Sequence, residues 1–159
     1  MAFVSDVIAR IEKGIGIFLI SSMAIIVALA VLFRYFIHAP LSWAGEASIY
    51  LMIWMSFVGG SLGLKYKSQA SVTFLIDLLP KGMKNAVLIT GHILILTFLC
   101  IILYYSYIWV FSPSVANQVA NSTQIPMWIP YSAVPVGLTF ATVHIINNLV
   151  QLFKKEDAE

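Results

Sequence analysis

Few residues in this sequence have the types and spacing that chemistry needs. His92 and His144 each lie inside a long apolar run, about two turns from its basic end. Two histidines at matched depth in a helical bundle are the ligand set of a b-type haem; two polar side chains hydrogen-bonding between helices is the other reading of the same pair. Glu46 is the only charged residue between Trp43 and Leu64, and Arg34 precedes it by a short turn. If the two helices they sit on are antiparallel neighbours, both charges lie at similar depth, either paired or acting as separate anchors. Asn147 and Asn148 suit hydrogen bonds between helices better than ion ligation. Cys100 is the single cysteine and sits in an apolar run, so neither a disulfide nor a cysteine metal site is supported. No Gly-rich phosphate loop, nucleophile triad or paired carboxylates appear, so no enzyme is expected, with no catalytic, cofactor or metal residues. The lysines are spread as anchors beside apolar runs, which gives nucleic-acid binding no support.

The elements that must position these residues are membrane helices. The chain is 60% hydrophobic and 10% charged, where soluble domains carry about 25% charged residues. Its apolar runs predict one all-α integral membrane domain over residues 1–159, with four transmembrane helices at about 14–37, 43–64, 85–111 and 130–153. From Trp43 to Leu64, about 1.5 Å per residue gives roughly 33 Å of helix, enough for a hydrocarbon core of about 30 Å. Ser42 is placed to cap that helix. The third run is long enough to require tilt, and Tyr104, Tyr105, Tyr107 and Trp109 crowd its far end as an aromatic belt does. Pro130 suits a first helical turn, and Pro135 is expected to bend the last span. The first run is too long for a signal-peptide core and reads as a signal anchor.

Two stretches read as interfacial amphipathic helices. Residues 1–13 place Phe3, Val4, Val7, Ile8 and Ile11 at helical spacing among charges. In residues 68–82, Val72, Leu75, Ile76 and Leu79 recur at i, i+3, i+4 and i+7, and Pro80 and Gly82 end the pattern. Charge sets the orientation. With the N-terminus inside, Arg10, Lys13, Lys65, Lys67, Lys81, Lys84, Lys154 and Lys155 are inside and only Arg34 is outside. That asymmetry predicts both termini in the cytoplasm and both amphipathic segments on the cytoplasmic side.

The second span has two faces. At about 100° per residue, Trp43, Glu46, Tyr50, Trp54, Phe57 and Ser61 share a stripe, suited to helix packing or to docking another subunit. Opposite lie Gly45, Ser48, Met52, Ser56, Gly59 and Gly63, where Gly59 and Gly63 form a G-x-x-x-G pair that admits a close helix. An ion-coupled carrier needs ionisable or broken-helix sites at mid-membrane. Here Glu46 and Arg34 are both shallow, so an accessory or scaffold subunit is expected.

The stretch PLSWAGEASIYLMIWMSFVGGSLGLKYKSQASVTFLIDLLP, from Pro40 to Pro80, resembles the signature region of the small membrane subunit of TRAP transporters, the DctQ type. It has the Pro-x-x-Trp start, an acid at the helix start, the Trp-containing aromatic span, the glycine pair and the basic, then amphipathic, sequel. TQIPMWIPYSAVPVG resembles the family's last span. The resemblance covers nearly the whole chain. It departs where many members carry two adjacent acids, since here Gly45 precedes Glu46, and where the basic segment often holds histidine. The resemblance implies a noncatalytic scaffold subunit in the bacterial inner membrane. Its partners would be a large M-type membrane subunit holding the substrate and sodium sites, and a periplasmic substrate-binding protein delivering an organic anion such as a sialic acid or C4-dicarboxylate. Arg34, Trp43, Glu46, Tyr50, Trp54, Phe57, Gly59 and Gly63 would serve partner or helix packing. The rival readings are a haem-bearing membrane anchor using His92 and His144 and a small four-helix exporter, which needs a mid-membrane carboxylate.

Overall fold

The computed structural model describes residues 2–66 and 80–156. The segment holding Val72, Leu75, Ile76 and Leu79 lies outside the described residues. The described chain is helical. Helix α1 is Ala2–Leu32, followed by a π-helical turn Phe33–Ile37; α2 is Ser42–Lys65; α3 is Lys81–Val110; short helices α4 (Pro113–Ala116) and α5 (Trp128–Tyr131) flank the loop; α6 is Ala133–Glu156. Four helical stretches, Ala2–Ile37, Ser42–Lys65, Ala86–Val110 and Trp128–Phe153, are long and apolar enough to cross a membrane.

Residues 2–13 of the lead-in and the first span are one uninterrupted helix. No proline or capping residue separates them, and the polar residues Ser5 and Glu12 are buried with Ala9, Gly16 and Leu19 on a single face. At about 1.5 Å per residue the 31 residues of α1 measure roughly 46 Å, longer than a bilayer core. The helix ends by widening into the π turn. His38 then adopts a left-handed φ of 56°, and its N–H, like that of Ala39, is directed at the Phe33 carbonyl. Pro40 disfavours helical backbone at the preceding Ala39, and Leu41 after it is extended. Ser42 makes no side-chain cap; Leu41 is the cap residue, and its carbonyl accepts from the Ala44 N–H.

The last span is interrupted once, at Ser132 between α5 and α6. Pro130 is third in α5 and Pro135 third in α6, positions whose N–H has no partner within the helix. The backbone between them continues through the Tyr131 N–H to Met127 O and the Ser132 N–H to Trp128 O.

The long helices form an open row in the order α1, α2, α6, α3: the main packing is α1 on α2, α2 on α6 and α3 on α6, with a lesser contact of α1 on α6. Helix α6 is the interior member. Of its most apolar window 44% is buried, against 6% to 11% in the other three spans. Leu99 of α3 meets Ala141 and Ile145 of α6, with Leu64 and Leu138 against them. Polar side chains inside the helices satisfy themselves on the preceding turn: Ser48 to Ala44 O, Ser56 to Met52 O, Thr97 to Ile93 O and Thr142 to Leu138 O, at 2.8 to 2.9 Å. In lipid, where no water competes, such local bonds keep hydroxyls from being left unmatched.

Candidate functional site

The chain gathers its polar groups at its two ends. At the Glu46 end, the sequence 117–127 folds back on itself. The Ala120 N–H donates to Ile125 O, and the Met127 N–H to Gln118 O, both at 2.9 Å. Gln124 takes a left-handed φ of 54°, and its side-chain amide donates to Ala120 O and Asn121 O. The turn aims three successive backbone N–H groups at one point, and the Glu46 carboxylate occupies it. Asn121 N–H donates to Oε1 at 3.1 Å; Ser122 N–H (3.0 Å), Thr123 N–H (2.8 Å) and Thr123 Oγ1–H (3.0 Å) donate to Oε2. A run of converging amides is an anion nest, here filled by the chain's own side chain.

One turn further along α2, the Tyr50 hydroxyl reaches Met127 Sδ at 3.4 Å. On α3, the Trp109 ring packs at a 41° tilt against Tyr131, with centroids 4.8 Å apart. Glu46 and Tyr50 thus fasten the loop before the last span to the start of α2. Arg34 is exposed, and no partner for it is found among the described residues. Replacing Glu46 by alanine should free this loop: amide hydrogen exchange at Asn121–Thr123 should quicken several-fold while the helices stay protected, and Glu46→Gln, with one acceptor oxygen, should fall between. Unchanged exchange in the alanine variant would show that the carboxylate does not hold the loop.

At the other end, α1 and α6 share a buried row. Ser5 Oγ and His144 Nδ1 are 2.7 Å apart, and His144 Nε2 and Glu12 Oε2 are 2.9 Å apart; all three side chains are fully buried. Lys65 of α2 adds its ammonium to Ser5 O at 2.9 Å and to Asp6 Oδ1 at 2.7 Å, and Asn148 donates to Leu64 O. Hydroxyl, imidazole and carboxyl in line is the composition of a nucleophile relay. Here no substrate can reach Ser5 Oγ, and the serine bonds Nδ1 rather than Nε2. The row is a strut between the first and last helices. Both His144 ring nitrogens have hydrogen-bond partners in this arrangement, which gives the haem reading no support. His92 turns Nδ1 to Leu88 O at 2.8 Å.

The second span's two faces are used unequally. The aromatic stripe turns inward: Phe57 meets Gly137 of α6, and Ser61 is buried. Trp43 remains 40% exposed. On the opposite face, a Cβ at Gly45 or Gly59 would meet nothing within 4 Å, and Met52 and Ser56 are exposed. The close helix approach within the chain is therefore at Gly137, not at Gly59. Its signal was present in the sequence as Ala133, Gly137 and Ala141, small residues four apart, all buried. The strut had a signal too: Ser5, Ala9, Glu12 and Gly16 recur at helical spacing on the face that is buried.

Residues 23–155 match the family described as the DctQ component of tripartite ATP-independent periplasmic transporters. Curated proteins similar to this chain include a putative TRAP transporter small permease protein of Haemophilus influenzae, 28% identical over 144 residues and covering 88% of each chain. The C4-dicarboxylate TRAP transporter small permease protein DctQ of Vibrio cholerae is 22% identical over 158 residues, covering 86% of this chain and 68% of that one. The isethionate TRAP transporter permease protein DctMQ of Oleidesulfovibrio alaskensis is 24% identical over 147 residues; the match takes in 89% of this chain but spans only 23% of that protein.

Proposed function

The chain belongs to the DctQ family of tripartite ATP-independent periplasmic transporters, and on that premise we propose that it is the noncatalytic scaffold subunit of a sodium-driven, binding-protein-dependent importer of an organic anion, such as a sialic acid or a C4-dicarboxylate. The observation that carries this reading is the open row of helices. Three of four spans keep most of their apolar window outside the chain's own core. A carrier that moved substrate by itself would enclose a path lined with ionisable or unwound segments. This chain instead offers a broad apolar flank, and its one acid in the second span is committed to its own loop.

In this reading the flank adjoins lipid and a large M-type membrane subunit, and the substrate reaches that subunit from a periplasmic binding protein. The fused DctMQ relative fits such a neighbour, since its name joins two components and the match covers a minor part of it. The outward face of α2 around Gly59, open and clear of the Arg34 groove, is the proposed place for a close helix of the large subunit. Trp43 edges that face, and Tyr50, Trp54 and Phe57 stiffen the helix that bears it. Both termini face the cytoplasm in this proposal, and the Glu46 loop faces the periplasm of a bacterial inner membrane. Reporter fusions after Lys67 and Lys155 should read cytoplasmic and one at Val119 periplasmic; a periplasmic signal after Lys67 would overturn that orientation. Calorimetry of the purified chain against a panel of sugar acids and dicarboxylates should give no binding heat. Saturable binding by this chain alone would contradict the scaffold role.

A further inference from the structure

The end of α1 and the start of α2 enclose a groove of about 380 Å³ beside Arg34. Its walls include the apolar residues Val27, Ala30, Val31, Leu41 and Ala44, and Arg34 also lines it. Two facts make that cation unusual. Glu46 is the only acidic residue between Glu12 and Asp77 in the sequence, and its carboxylate is occupied by the amides of Asn121, Ser122 and Thr123. Among the described residues, Arg34 thus has no acid to pair with. The π-helical turn that holds it also presents Tyr35, Phe36 and Ile37, each more than half exposed, a composition suited to headgroup depth.

We propose that this groove binds one anionic phospholipid, with the Arg34 fork on the phosphate and an acyl chain along the Val27–Val31 wall. Guanidinium matches phosphate in a bidentate geometry, and basic pockets between membrane helices are where acidic headgroups settle. The apolar wall favours a lipid over a free anion, because a soluble anion gains nothing from Val27 or Val31. This inference rests on the helices crossing a bilayer and not on the transport role.

The test is native mass spectrometry of the purified full chain with added phosphatidylglycerol or phosphatidylcholine. The native chain should retain a single phosphatidylglycerol. Arg34→Gln should lower its occupancy about tenfold, the loss of one charge-assisted contact, and Arg34→Lys should lie between, having charge without the fork. Ala30→Phe fills the groove without touching the charge and should also expel the lipid, so the proposal is tested even if one variant fails to fold. Excess inorganic phosphate should not displace the lipid. Equal retention of phosphatidylcholine, unchanged occupancy in Arg34→Gln and Ala30→Phe, or displacement by phosphate would each overturn the proposal. So would loss of the lipid from the assembled complex together with weakened assembly of Arg34→Gln in phosphatidylcholine, which would give the guanidinium to a partner protein.

Discussion

Replacing His144 by alanine is expected to destabilise the chain by about 1–3 kcal/mol, the penalty for leaving a buried polar group unmatched. The imidazole is the sole described link between Ser5 and Glu12. Glu12 Oε1 is buried and already lacks a hydrogen-bond partner, so removing His144 leaves neither carboxyl oxygen with one. The loss should appear as a lower midpoint in thermal unfolding in detergent, and as early exchange in the first turns of α1. Glu12→Leu combined with His144→Phe should recover most of it, since apolar groups of similar size replace buried pairs at little net cost. If the double variant is as damaged as the sum of Glu12→Leu and His144→Phe alone, the row is not a coupled unit.

The second large effect is expected at Gly137. A Cβ there would lie 2.6 Å from Phe57 Cβ and 3.1 Å from the Phe57 carbonyl carbon and oxygen. Two of those atoms are backbone, so no rotamer change relieves the contact and α2 and α6 must move apart. Overpacking of this kind costs about 1–3 kcal/mol. Gly137→Ala should therefore lower the unfolding midpoint, and Gly137→Val should lower it further. Gly59→Ala is the control, because its Cβ meets nothing within 4 Å and alanine is the better helix former. A neutral Gly137→Ala would mean that the two helices do not approach so closely.

What the sequence disclosed and what it hid follow from the kind of signal each feature leaves. Membrane spans are written in long unbroken apolarity, and all four spans stood out for that reason. Helix ends were read less well, because Ser42 looks like a cap and Leu41 does not, yet the backbone capped itself. Pairings across the chain left no local trace. The amides of Asn121, Ser122 and Thr123 that hold Glu46 belong to a loop 75 to 77 residues away, and any loop residue has an N–H to give. His144 read as polar and interhelical from its position, but its partners, Ser5 and Glu12, looked like the water-facing side of an amphipathic helix. Periodicity shows that a face exists, not which neighbour covers it. The glycine spacing has the same limit: a Cβ at Gly59 meets nothing within 4 Å, whereas Gly137, in a run of alanine and glycine four apart, makes the close contact within the chain.

Uptake by reconstituted vesicles tests the central claim most directly. Vesicles holding the large subunit and this chain, with the binding protein and labelled organic anion outside, should accumulate label along an imposed sodium gradient. Vesicles made without this chain should not, and adding it back should restore uptake while the large subunit's substrate affinity stays the same. Full uptake without this chain, or uptake by vesicles containing this chain alone, would contradict the account.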